Sequence, residues 1–191
     1  GGAPVPSARP GEVPGAAALL NVTDKSEVRV EKILVSACLL GQPVRYDGRA
    51  SGYPDCLLQW QRQGRVVPLC PEVAGGLPTP RPPAEIPGGQ GAAVLEGRVA
   101  VVNVDGEDVS TAFLAGAERA LQLVRQHGIR IAVLKSGSPS CGNALTYDGT
   151  FSGTKVPGEG VTTALLRREG VQVFSELELD AALQALNALE A

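Results

Sequence analysis

The sequence predicts an α/β domain: a mainly parallel sheet flanked by helices. Three observations predict it. Short apolar runs alternate along the chain with segments whose apolar residues recur at helical spacing. One of those segments, Ser110 to His127, is long and strongly periodic, with Phe113, Ala117, Ala120, Leu121 and Val124 on one face and Gly128 placed to end it. Third, Cys38, Cys70 and Cys141 each follow an apolar run, which is where open α/β sheets bind ligands.

Taken in order, Val28 to Ser36 begins with alternation and ends apolar, as in a strand that becomes buried, and Cys38 lies at or just past its end. Gln42 to Pro54 reads as a loop, with Pro43, Asp47-Gly48 and Gly52 as turn signals. Asp55 to Arg62 suits a short helix whose Cys56 and Trp60, four apart, share an inner face. Arg65 to Leu69 is a second strand, with Pro68 tolerable only near an end or edge. It runs into Cys70-Pro71-Glu72.

Ala74 to Gly91 is crowded with Gly and Pro and reads as a shaped loop covering a site. Ala92 to Val104 is expected to form a small hairpin around Glu96-Gly97. After the long helix, Ile129 to Leu134 suits a buried strand. It leads into Lys135-Ser136-Gly137-Ser138-Pro139-Ser140-Cys141-Gly142. Asp148 to Gly153 is another turn-rich loop. Val161 to Arg168 reads as a helix and Val171 to Phe174 as the last strand. Ser175 and Glu178 have capping-box spacing for a terminal helix with an apolar face of Leu179, Ala182, Leu183, Leu186 and Leu189. The whole predicts a Rossmann-like three-layer architecture.

The 191 residues are enough for one full core, and 43% of them are apolar. Residues 1–27, rich in Gly and Pro, read as a flexible extension, and 28–191 as a single domain. The chain contains no Met, so its opening residues are expected to be processed, trimmed or partly vector-derived. Seventeen basic residues against 20 acidic give no sign of a nonspecific grip on nucleic acid or an anionic membrane. No apolar run is long enough to span a bilayer. A cytoplasmic location is expected, with no membrane partner and no stable nucleic-acid complex; the composition leaves the oligomeric state open.

Four cysteines without a secretory segment argue against a disulfide framework. Cys38, Cys70 and Cys141 are too far apart in sequence for a compact zinc module. Meeting at neighbouring strand ends, they would form a soft donor set suited to zinc, copper(I) or an iron–sulfur cluster. Three thiolates leave one iron of a cubane open, whereas zinc would take three cysteines and a water; the pattern alone leaves these two open. Cys56, inside a helix, reads as a small buried hydrophobe.

Glu72 lies two residues past Cys70 and Ser138 three before Cys141, so both can reach the same cavity. Glu72 suits proton transfer and Ser138 a hydrogen bond to substrate or water. Arg45, Arg81, Lys135 and Ser140 lie on the same candidate loops and are expected to meet a polar substrate. His127, the only histidine, is explained by its place at a helix C-terminus. Gly75-Gly76 and Gly158-x-Gly160 match no phosphate-binding fingerprint.

Several blocks together resemble the DUF523 family: Lys32 to Gly41, Val44-Arg45-Tyr46-Asp47-Gly48, Cys70 to Val73 with Gly75 to Arg81, Lys135 to Gly142, and Tyr147 to Gly153. The resemblance covers roughly residues 31 to 176. It implies a [4Fe–4S] enzyme that removes sulfur from 2-thiouracil, a small thiolated nucleobase, giving uracil and sulfide. It implies that Cys38, Cys70 and Cys141 hold the cluster with one iron open to substrate sulfur, and that Glu72 and Ser138 are the catalytic partners. Gly137 departs from the basic or larger residue expected there. Another desulfuration or sulfur-transfer enzyme, or a nonenzymatic cluster sensor, remain alternatives; a sensor would need no substrate cavity.

Overall fold

The computed structural model describes Gly2, residues 30–48 and residues 54–191. The expected extension, Gly2 apart, and the turn at Gly52 lie outside the described residues. The chain divides into units of residues 1–30 and 31–191, and the second carries everything that follows.

Four parallel strands form its sheet: β1 (Ile33–Ser36), β2 (Val66–Leu69), β5 (Ile131–Leu134) and β8 (Gln172–Ser175), in the order β2-β1-β5-β8. Ile33 is in register with Val66 on one side and Ile131 on the other. Of the strand expected over Val28 to Ser36, Ile33–Ser36 is strand and residues 30–32 are not; residues 28 and 29 lie outside the described residues. The two central strands, β1 and β5, are buried at every position, which explains why they read as unbroken apolar runs. Pro68 sits in the edge strand β2 and is exposed there, where a missing N–H costs no ladder bond.

Helices cover both faces. On one side Leu34, Ala132 and Leu134 pack with α4 (Ser110–His127), α5 (Val161–Arg168) and α3 (Gly91–Leu95) through Phe113, Ala117, Leu166 and Val94. On the other, Ile33, Val35, Ile131 and Val133 pack with α1 (Asp55–Arg62) and α6 (Leu179–Glu190) through Leu57, Trp60, Ala182 and Leu186. Successive strand residues thus feed alternate cores, which makes the three layers. Cys56 is half-buried against the second core, as a small apolar side chain would be. Among the described residues, no helix is long and apolar enough to cross a membrane.

Three expectations are corrected. Ala92 to Val104 is no hairpin: Gly91–Leu95 is helical, and Gly97, at φ 74°, marks the turn after the helix instead of the tip between two strands. Its partner strands are instead β4 (Val102–Asn103) and the distant β3 (Ala84–Glu85), paired antiparallel. The apolar face of α6 excludes Leu183, which is 40% exposed. A hairpin of β6 (Leu145–Tyr147) and β7 (Lys155–Pro157) flanks the turn-rich loop and was not foreseen. The Ser175–Glu178 reach-back bond does form, Ser175 N–H donating to Glu178 Oε1 at 3.0 Å, but the helix starts after it, at Leu179.

Close packing between helices sets the position of the site loop after β2. The short helix α2 (Pro71–Ala74) lies against α4. A Cβ on Gly116 would stand 1.9 Å from Pro71 O, and one on Gly75 would stand 1.9 Å from Ala112 O. Only glycine lets the two backbones approach this closely. The contact locks Pro71 and Glu72 to the longest helix of the domain.

Candidate active site

Each candidate ligand follows a different strand. β1 passes directly into a 3₁₀ turn, Ala37–Leu40, that carries Cys38; Gly41, at φ 84°, ends it. Cys70 follows β2 and precedes α2, and Pro71 starts that helix with no N–H to lose. Cys141 lies on the loop after β5. All three line one cavity of about 450 Å³ at the carboxyl ends of the parallel strands, a size suited to a small ligand. Cys56 does not line it. No disulfide joins any of the four cysteines.

The thiols and Glu72 also interact electrostatically. The Cys141 thiol is pushed well above the ordinary thiol range. Burial is the largest cause, and Cys70, Glu72 and Cys38 add to it against the pull of the Ser36 hydroxyl. Cys70 is also raised, chiefly by burial and by Glu72, while the amides of Val73 and Glu72 and the charge of Arg81 oppose the rise. Ser36 Oγ donates to Cys141 Sγ at 3.6 Å and accepts the Lys135 N–H at 2.9 Å, tying the end of β1 to the loop after β5.

Glu72 and Ser138 line the same cavity as the thiols and touch each other. Ser138 Oγ donates to Glu72 Oε2 at 3.3 Å and accepts the N–H groups of Ser140 (3.0 Å) and Cys141 (3.2 Å). The other Glu72 oxygen, Oε1, accepts Arg81 Nε at 3.2 Å. The carboxylate is therefore held from both sides, with one edge on the cavity.

The remaining expected substrate residues separate into distinct cases. Arg81 lines the cavity, but its buried guanidinium donates to Glu72, Pro78 O, Thr79 Oγ1 and Val44 O and lies 3.9 Å from Cys70 Sγ. These contacts tie Arg81 to three segments of the site, so its guanidinium clamps the loops around Glu72 and Cys70. Lys135 lines the cavity while paired with Glu176 at 3.1 Å. Ser140 is outside the wall, fully buried, its hydroxyl 2.8 Å from that of Thr162. Arg45 lines the wall with no side-chain ion pair among the described residues.

Sequence reasoning did not find Ser36, Glu85 or the aromatic part of the wall, Tyr46, Tyr147 and Phe151, nor Glu176, which bonds to Lys135 and Ser136 of the wall. A signal existed for Ser36, a hydroxyl two residues before a candidate ligand at a strand end. Glu176 carries no such signal: its bonds to Ser136 and Lys135 cross 40 residues or more.

A parallel α/β sheet with three thiols, a carboxylate and a hydroxyl around one cavity at its strand ends defines an enzyme of soft-metal or sulfur chemistry. The chain belongs to the 2-thiouracil desulfurase family, whose model matches residues 33–178. It is 43% identical over 148 residues to the uncharacterized protein YbbK of Bacillus subtilis (strain 168), covering 78% of this chain and 97% of that protein. Its fold superposes with a TM-score of 0.75 on a solved structure of the [4Fe-4S]-dependent thiouracil desulfidase TudS (DUF523Vcz), at 54% identity. That match covers 83% of this chain and 99% of the other.

Proposed function

We propose that this protein is a [4Fe–4S]-dependent desulfidase that converts 2-thiouracil, or a closely related thiolated nucleobase, to uracil and sulfide. One observation carries the reading: Cys38, Cys70 and Cys141 share a cavity wall with the bonded pair Glu72–Ser138. Family membership and the cluster dependence of the 54% identical TudS support it.

Cys38, Cys70 and Cys141 would hold the cluster. The donor set fits, being all soft thiol with no histidine near it. Among the described residues, no three His, Cys, Asp or Glu side chains are grouped as a single metal ion needs. When bound, a cluster with one iron lacking a protein ligand would supply a soft site for the thiocarbonyl sulfur and polarise the carbon–sulfur bond.

The chain's own residues do the rest. Glu72 accepts a proton from the attacking water, and the Arg81 and Ser138 contacts hold its carboxylate in place as it does so. Ser138 steadies the Cys141 loop through two amides. Arg45 is the cation available to the substrate's polar edge, and Lys135 contributes its charge from the Glu176 pair. Arg81 and Ser140 act as supports, not as substrate contacts. The water oxygen becomes the new carbonyl and the sulfur leaves as hydrogen sulfide, so no electrons change hands and no reductant is required. The protein places the cluster, the substrate and the proton.

Four thiols without a disulfide suit a reducing compartment, and we place the protein in the cytoplasm. Residues 28–191 act as one catalytic domain, and a net charge of −3 suits a small-molecule substrate without a stable nucleic-acid complex. The test is anaerobic purification, iron and acid-labile sulfide analysis, and incubation with 2-thiouracil. Four irons and four sulfides per chain with release of uracil and sulfide are expected. Stoichiometric zinc, with no iron after anaerobic reconstitution, would overturn the cluster; an intact cluster that releases no sulfide would overturn the activity.

A further inference from the structure

We propose that Phe151 is the stacking face for the planar thiopyrimidine ring, and that the buried carboxylate of Glu85 holds it in that position. The inference rests on the desulfidase reading and specifies how the substrate is recognised.

The chain has only three Phe and three Tyr. Phe113 fills one core and Phe174 packs against the other. Phe151 belongs to neither core and lines the cavity instead, with Tyr46 and Tyr147. Lys155 Nζ sits 5.4 Å from the Tyr147 ring centre, so that ring already has a partner.

Phe151 is placed there against local preference. Among the described residues it is the only non-glycine with positive φ, at 56°, a backbone region that L side chains rarely adopt. Surrounding structure imposes that conformation. Glu85, on β3 and 8% exposed, accepts the Gly149 N–H at 2.9 Å and the Phe151 N–H at 3.3 Å on the same oxygen. Gly149 lies so close to Pro87 that a Cβ would stand 2.3 Å from Pro87 Cα. On the far side Asp148 Oδ1 accepts the Thr150 N–H at 2.9 Å.

A buried carboxylate spent on two loop amides and a strained aromatic in a cavity wall together describe a preorganised ligand contact. A flat heterocycle is the ligand class it fits. Its π-face stacks on a phenyl ring, while acyclic thioamides offer no such face.

The test compares holoenzymes of wild type, Phe151→Leu, Phe151→Tyr and Glu85→Ala. Two readouts are used: calorimetric affinity for uracil, which has no sulfur to react, and KM for 2-thiouracil. Leu keeps the apolar bulk and removes the ring. Its uracil Kd and thiouracil KM are expected to rise about 5- to 150-fold, with cluster absorbance and iron content unchanged. Tyr is expected to stay within about twofold of wild type, and Glu85→Ala to move the same way as Leu. A Leu variant with wild-type Kd and KM overturns the stacking role while leaving the desulfidase reading intact. A wild-type holoenzyme that releases no sulfide from 2-thiouracil overturns that reading and the stacking role with it.

Discussion

Arg81 and Glu72 meet through a single bond, Nε to Oε1 at 3.2 Å, while the other four guanidinium donors are turned onto the surrounding chain. The pair joins three segments: the Val44 turn, the Cys70–Glu72 helix start and the Pro78–Arg81 loop. Replacing Arg81 with Ala leaves the Glu72 carboxylate, 15% exposed, without its cation and also leaves Pro78 O without its donor. Loss of one partner of such a buried pair costs about 3–5 kcal/mol, and urea denaturation of Arg81→Ala should show a loss in that range. Arg81→Lys should recover only part of it, since an ammonium cannot reproduce the fork. A Lys variant with wild-type stability would contradict the clamp.

Glu72 and Ser138 should separate kinetically. Glu72→Gln keeps the size and the Ser138 contact but removes the proton acceptor. Its kcat should fall by about 10²–10⁴-fold with iron content unchanged. Ser138→Ala should add a stability loss of about 1–3 kcal/mol, because the Ser140 and Cys141 amides lose their acceptor. Single-turnover sulfide release and thermal unfolding distinguish the two effects. A Glu72→Gln enzyme at full rate would remove Glu72 from the chemistry.

Ser36 should tune the cluster without holding it. Its hydroxyl donates to Cys141 Sγ and so stabilises negative charge on that sulfur. Ser36→Ala should therefore shift the cluster midpoint potential to more negative values, as followed by anaerobic redox titration. Iron content should stay the same. The variant also orphans the Lys135 N–H, at a cost of about 1–3 kcal/mol. An unchanged potential would show that the Ser36 bond does not persist with the cluster in place.

The strand ends were legible in the sequence because the parallel strands β1 and β5 are buried on both faces and so show as apolar runs. The next thiol in the chain then falls at the sheet's carboxyl edge. Glu72 and Ser138 were legible because they are neighbours of those thiols along the chain. Arg81 was legible as a cation on a site loop, but its bonds to Glu72, Pro78 O and Val44 O appear only in the packing. Glu85 was not legible, since its value lies in amides 64 and 66 residues away. The segment 92–104 misled because Gly97 is equally suited to a hairpin tip and to the turn after a short helix. The distant Ala84–Glu85 strand decides between them.

Glu176 supplies a pH test of the loop that carries Lys135 and Ser136. Burial alone would raise its carboxyl, but the Ser136 hydroxyl and N–H, at 2.5 and 2.9 Å, and Lys135 outweigh burial and hold it below the ordinary carboxylate value. A carboxylate lowered on folding stabilises the folded state above its unfolded value of about 4.3. That contribution disappears as pH falls through this value toward the folded one. Glu176→Gln keeps one acceptor for Ser136 and loses the charge facing Lys135. The variant should be less stable than wild type near neutrality, and the gap should narrow as pH falls from about 5 toward 3. Urea midpoints across that range measure it directly. A gap that stays constant through the acid limb would mean that Glu176 acts by shape alone, and that its charge does not anchor the loop between β5 and Cys141.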